Sequence, residues 1–60
     1  MSKYPIIGNT YFKESQGLYI EVIKENLGGC YECCTYEVDE NGREINIENV
    51  LLTAHDIFTK

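Results

Sequence analysis

The sequence predicts a small all-β domain, a barrel of four to five antiparallel strands with a short terminal strand or helical turn. Three observations predict it. Tyr36-Glu37-Val38-Asp39 and Glu44-Ile45-Asn46-Ile47 alternate apolar and polar residues on either side of Asn41-Gly42. Asn and Gly accept the positive φ of a type I′ turn, so this pair is a strong hairpin signal. A second alternating run, Leu18-Tyr19-Ile20-Glu21-Val22, follows a turn glycine, Gly17. Finally, the 60 residues make one domain, 1–60, and a lone sheet with one apolar face has to be covered or closed on itself.

Residues 1–9 read as an extended N-terminal arm, with Pro5 favouring extended backbone before it and Gly8-Asn9 offering a turn. The first strand is expected from Thr10 to Lys13. A three-residue loop of Ser15, Gln16 and Gly17 would set Phe12 opposite Ile20 and Thr10 opposite Val22. Phe12, Leu18, Ile20 and Val22 then share the core face, and Tyr11, Lys13, Tyr19 and Glu21 the other. Glu25-Asn26-Leu27-Gly28-Gly29 interrupts the pattern, and a third strand is expected from Cys30 to Val38.

At Asn41-Gly42 a two-residue turn sets Val38 opposite Ile45 and Tyr36 opposite Ile47, apolar against apolar, with Glu37 facing Asn46 outside. A three-residue loop would set Val38 against Glu44 instead, so the face argument selects the shorter turn. Cys34 then lies in the core with Cys33 on the opposite face. Beyond Val50-Leu51-Leu52, Thr53 with Asp56 three residues later resembles a helix N-terminal cap, while Ile57-Phe58 would also suit a short closing strand.

This layout resembles the SH3-like small barrels. The resembling pieces are Gly8-Asn9-Thr10-Tyr11-Phe12 before the Gly17 turn, the Leu18–Lys24 strand, the Asn41-Gly42 hairpin and the terminal Ile57. The spacing also resembles short barrel proteins encoded by bacteriophages and mobile elements. An Ala-Leu-Tyr-Asp-Tyr stretch, as in the proline-binding SH3 domains, is missing, and no peptide-binding residues carry over.

Ten carboxylates against five Lys/Arg give a formal charge of −5, and Glu32, Glu37, Asp39, Glu40, Glu44 and Glu48 stand against Arg43 alone between residues 32 and 48. Such a surface repels phosphate backbones, which disfavours direct DNA or RNA binding and favours a basic surface on another protein. The longest apolar stretches fall far short of the roughly 20 residues a membrane-spanning helix needs. Three cysteines, with no signal peptide ahead of them, point to the cytoplasm, or to the host cytoplasm for a phage product.

Two groups of residues are candidates for function. Tyr11, Tyr19 and Tyr31 fall on the face opposite the expected core, where tyrosine's large apolar area and polar tip suit a protein interface. The acidic hairpin residues Glu37, Asp39, Glu40, Glu44 and Glu48 would complement a basic groove. Cys30, Cys33 and Cys34 with His55 form an alternative, a zinc shell, but on a straight strand Cys30 and Cys33 would point to opposite faces about 10 Å apart. A Cys33/His55 nucleophilic pair lacks a third group and an oxyanion loop.

The expected function is a small acidic, non-enzymatic protein-binding module, homodimeric and without cofactor. The resemblance implies a phage-encoded inhibitor that occludes a surface of a host or anti-phage defence protein. The alternatives are a small structural or regulatory subunit docking through the tail around His55 and Phe58, and a metal-stabilised domain built on the cysteine cluster.

Overall fold

The computed structural model describes residues 4–59. Four antiparallel strands follow one another in space as in sequence: β1 (Thr10–Lys13), β2 (Leu18–Glu25), β3 (Cys30–Val38) and β4 (Glu44–Thr53). A 3₁₀ turn, Leu27–Gly29, joins β2 to β3, and a five-residue helix, α1 (Ala54–Phe58), is the last described element. The sheet is open. β1 and β4 are its two edges and do not pair, so the described residues form no closed barrel. The cover the sheet requires comes instead from α1 and from the segment before β1.

α1 starts where Thr53 and Asp56 form a reciprocal capping box. The Asp56 N–H donates to Thr53 Oγ1 at 3.1 Å and the Thr53 N–H donates to Asp56 Oδ2 at 3.3 Å. Of the two readings of this tail, the helical one holds. Lys13 Nζ ties the helix to β1 by donating to the Asp56 carbonyl at 2.6 Å. Ile57 is thereby buried on the sheet, and Phe58 meets Tyr11 edge-to-face at 5.0 Å. On the same side Pro5 is buried, the Gly8 N–H donates to the Val22 carbonyl and the Ile6 N–H to the Tyr11 hydroxyl.

The core on this inner face comprises Ile20, Val22, Tyr31, Cys33 and Ile57, with Tyr11, Val50, Leu52, Ala54 and Phe58 against it. Val22, fully buried, pairs with Cys33, which pairs in turn with Val50. That row fixes the faces of three strands.

Both expected hairpin registers differ from the observed ones by one residue. Between β1 and β2 the loop spans four residues, 14–17, so Tyr11 pairs with Ile20 and Phe12 with Tyr19. Tyr11 and Lys13 therefore take the inner face and Phe12 the outer, because side chains alternate along a strand.

At the second hairpin the closing pair is Asp39 and Arg43, and Val38 stands opposite Glu44. The three-residue loop prevails because Asp39 Oδ1 accepts from the N–H groups of Asn41 at 2.9 Å and Arg43 at 2.8 Å, and Gly42 takes φ +81°. The parity lost there is regained at a bulge around Asn46, which adopts φ +54°, a value Asn tolerates better than most residues. From Glu48 onward the pairing again follows the expected register, and Val50 and Leu52 reach the core.

β3 nevertheless turns its other face inward. Tyr31, Cys33 and Thr35 are buried, whereas Cys34 and Tyr36, expected in the core, lie outside. Both faces of β3 are similarly apolar, so its own pattern does not choose between them. The choice comes from Ile20, Val22, Val50 and Leu52 on the neighbouring strands.

The two registers make opposite predictions for adjacent residues. Tyr11→Ser should cost about 2 kcal/mol or more in urea unfolding, by loss of core packing, and Phe12→Ser no more than about 1 kcal/mol. Equal losses, or the reverse order, would contradict the observed pairing.

The Asp56 carboxyl is held below the usual carboxylate range, chiefly by the Thr53 backbone N–H, then by the Thr53 side chain, with Lys13 and His55 adding charge. A depressed folded value gives stability that is present above the unfolded pKa, near about 3.9, and lost as pH falls through the folded value. Asp56→Asn should thus lower the melting temperature at pH 7, with the gap to wild type closing in acid. A gap constant from pH 7 to pH 2 would rule this out.

Candidate functional site

The outer face of the sheet carries what the core leaves over. Phe12 of β1, Tyr19 of β2 and Tyr36 of β3 form one row across the strands. Their rings touch in sequence, Phe12 to Tyr19 at 4.8 Å with a tilt of 47°, and Tyr19 to Tyr36 at 5.5 Å, stacked within 13°. Ile47 extends this side on β4, with Ile23 and Leu51 further along the sheet. Phe12 is 53% exposed, Ile47 58% and Leu51 61%. These side chains form one exposed apolar group across the strands rather than scattered surface residues.

Carboxylates lie around the aromatic row. Glu21 stands between Thr10 and Cys34 in the pairing of β1, β2 and β3. Glu44 stands opposite Val38. The Tyr36 phenol is raised above the ordinary tyrosine value, first by desolvation, then by the nearby charges of Glu44 and Glu21, while the Thr10 hydroxyl acts in the other direction. At the far end of the sheet Lys24 and Glu32 form an exposed ion pair at 3.0 Å. Glu21 and Glu44 have no such ion pair among the described residues.

The expected contact residues divide between this face and others. Tyr19 lies here, stacked on Tyr36, and Glu44 borders this face opposite Val38. Tyr31 is a core residue, its hydroxyl raised above its ordinary value by burial, with Glu25 and Tyr4 adding to the effect. Tyr11 is half-buried on the inner face. Glu37 accepts from Asn46 Nδ2 at 2.9 Å, so these two do face each other, but at the inner-face cleft instead of outside. Glu48 pairs with Thr35 and borders the same cleft of about 240 Å³. Asp39 is occupied by the turn amides, and Glu40 sits in the exposed loop. The hairpin carboxylates therefore make no single array.

Phe12, Glu21, Tyr36, Ile23, Ile47 and Leu51 were not expected at a site. The signal that could have found Phe12 and Tyr36 is the β2 alternation. Ile20 and Val22 claim the core, so Tyr19 and its cross-strand neighbours must face out.

No group of three or more His, Cys, Asp or Glu side chains is placed to hold a metal ion among the described residues. Cys33 is buried, and its thiol donates to the Tyr31 carbonyl at 3.5 Å. Burial raises that thiol above its ordinary value, which works against the thiolate a nucleophile or zinc ligand needs. Cys30 and Cys34 are half-exposed, and His55 is exposed on α1. No described helix is long and apolar enough to cross a membrane.

Comparison with protein-family models, with curated proteins and with solved structures gave no match.

The burial of the thiols gives a direct check of β3's orientation. In native protein, iodoacetamide followed by mass spectrometry should modify Cys30 and Cys34 first and Cys33 only on unfolding. Modification of Cys33 at the rate of Cys34 would mean that β3 faces the other way.

Proposed function

We propose that this protein is a small acidic, non-enzymatic binding module that docks the outer face of its sheet on a larger protein and acts by covering the surface it meets. The observation that carries this reading is the row Phe12, Tyr19 and Tyr36 beside exposed Ile47 and Leu51. Aromatic side chains bring large contact area at little conformational cost, as interface cores require. The net charge of −5 favours a partner whose surface carries Lys and Arg around an apolar centre, with association accelerated at low salt.

Occlusion of a host or anti-phage defence protein by a phage-encoded inhibitor is the most concrete form of this proposal, set in the host cytoplasm. It draws on the resemblance of the turn and strand spacing to short phage barrel proteins. The open sheet departs from a closed SH3-like barrel, and kinship with that group would require the edges to close on a partner or a second copy. A homodimer belongs to the proposal as well. β4 offers ten residues with a strand on one side only, leaving the outer face to the partner.

A subunit docking through its tail has less support. Ile57 is buried, and the Phe58 ring is engaged by Tyr11 within the chain.

Immobilised protein should capture a partner from host extract, and Phe12→Ser with Ile47→Ser should reduce capture at least about tenfold while the fold is retained. Raising salt should weaken capture further. Capture indifferent to both substitutions would exclude the outer face, and a monomer in sedimentation would remove the homodimer.

A further inference from the structure

We infer that β4 pairs antiparallel with β4 of a second copy in one register, the two-fold axis passing through Asn49 and Ile47 of each chain standing opposite Leu51 of the other. The inference rests on the homodimer proposed above and specifies its seam.

The two edges of the sheet differ in how they are protected. β1 has four residues and ends on Lys13, and a short strand bearing a lysine is a poor template for another strand. β4 has ten residues and, from Glu44 to Thr53, neither Lys, Arg nor Pro. Its bulge lies near its start, at Asn46. From Glu48 to Thr53 the ladder to β3 is unbroken, so the other side of this segment presents a regular row of backbone N–H and C=O groups with no strand against it. The backbone of another extended strand satisfies such a row.

The side chains select a second copy and its register, because a symmetric interface has to be self-complementary. In one continuous sheet, residues directly opposite share a face, so the axis passes through a residue and not between two. An axis through Glu48 would set its carboxylate against that of the other copy. Through Val50 it would set Leu51 against Asn49 and Ile47 against Thr53. Through Ile47 it would draw the bulged Asn46 into the ladder, and through Leu51 it would put Ile47 opposite His55, where α1 has already begun. With the axis through Asn49, Ile47 meets Leu51 on both sides, Glu48 meets Val50, and the two Asn49 amides face each other. Ile47 and Leu51, both well exposed in the single chain, then cover one another, and no carboxylate faces a carboxylate across the seam.

The test mixes ¹³C-labelled and unlabelled full chain and records only the nuclear Overhauser contacts between copies. Ile47 and Leu51 of one chain stand about 13 Å apart along β4, too far for such a contact, so a cross-peak between their methyls reports the seam alone. That cross-peak should be present. Asn49→Lys, which brings two ammonium groups together at the axis, should weaken the dimer at least about tenfold in sedimentation. Signal dispersion should be kept, since Asn49 is exposed.

A dimer without the contact from Ile47 to Leu51, or one unaffected by N49K, would overturn the inference and leave the homodimer standing. A monomer would overturn both, and β4 amides that shift only on addition of the captured partner would assign this edge to a strand of that partner. Loss of capture in Phe12→Ser, on the opposite edge strand, reads the docking face independently of the seam.

Discussion

The pairing of Val22 with Cys33, and of Cys33 with Val50, is the constraint on which the molecule depends. It decides which side of each strand meets α1 and which side meets solvent. A strand has only two faces, so a shift of one residue at this row would exchange core and surface along its whole length. Among the described residues the core cluster has five buried hydrophobic members with a few half-buried ones against it, so this small core carries most of what holds the register.

The turns and bulges accommodate that constraint. Asp39 and Gly42 favour a three-residue loop, which by itself would send Val50 and Leu52 outward. Asn46, at positive φ, absorbs one residue and returns them to the core. Ile23 marks a comparable irregularity between β2 and β3, after which Lys24 meets Glu32. The outer aromatic row follows from the same parity. Tyr19 faces out because Ile20 faces in, and Phe12 and Tyr36 join it by pairing. The surface proposed for docking is thus the complement of the core.

The sequence revealed strand positions well and strand faces poorly. Strands β1 and β3 lie where the glycines and alternation predicted them, and the Thr53/Asp56 cap is present. The β2 face was legible too, since Leu18, Ile20 and Val22 are three aliphatic residues in alternation with Tyr19 and Glu21. Tyr11 against Phe12, and Cys33 against Cys34, are adjacent apolar pairs, and nothing local ranks one above the other. Loop length decided the first, and Val22 and Val50 on the neighbouring strands decided the second, while each loop was read one residue too short. Most of the site was lost with that parity: Tyr19 remained outside, Tyr11 and Tyr31 went to the core side, and the acidic hairpin residues dispersed over two faces and a turn.

Side-chain contacts across β1, β2 and β3 in solution test this account most directly. A nuclear Overhauser spectrum of the full chain should connect the Phe12 ring to Tyr19, the Tyr19 ring to Tyr36, and the Tyr11 ring to Phe58. Contacts from Phe12 to Ile20 instead, with Tyr11 free of Phe58, would contradict it, because the aromatic row would then be part of the core.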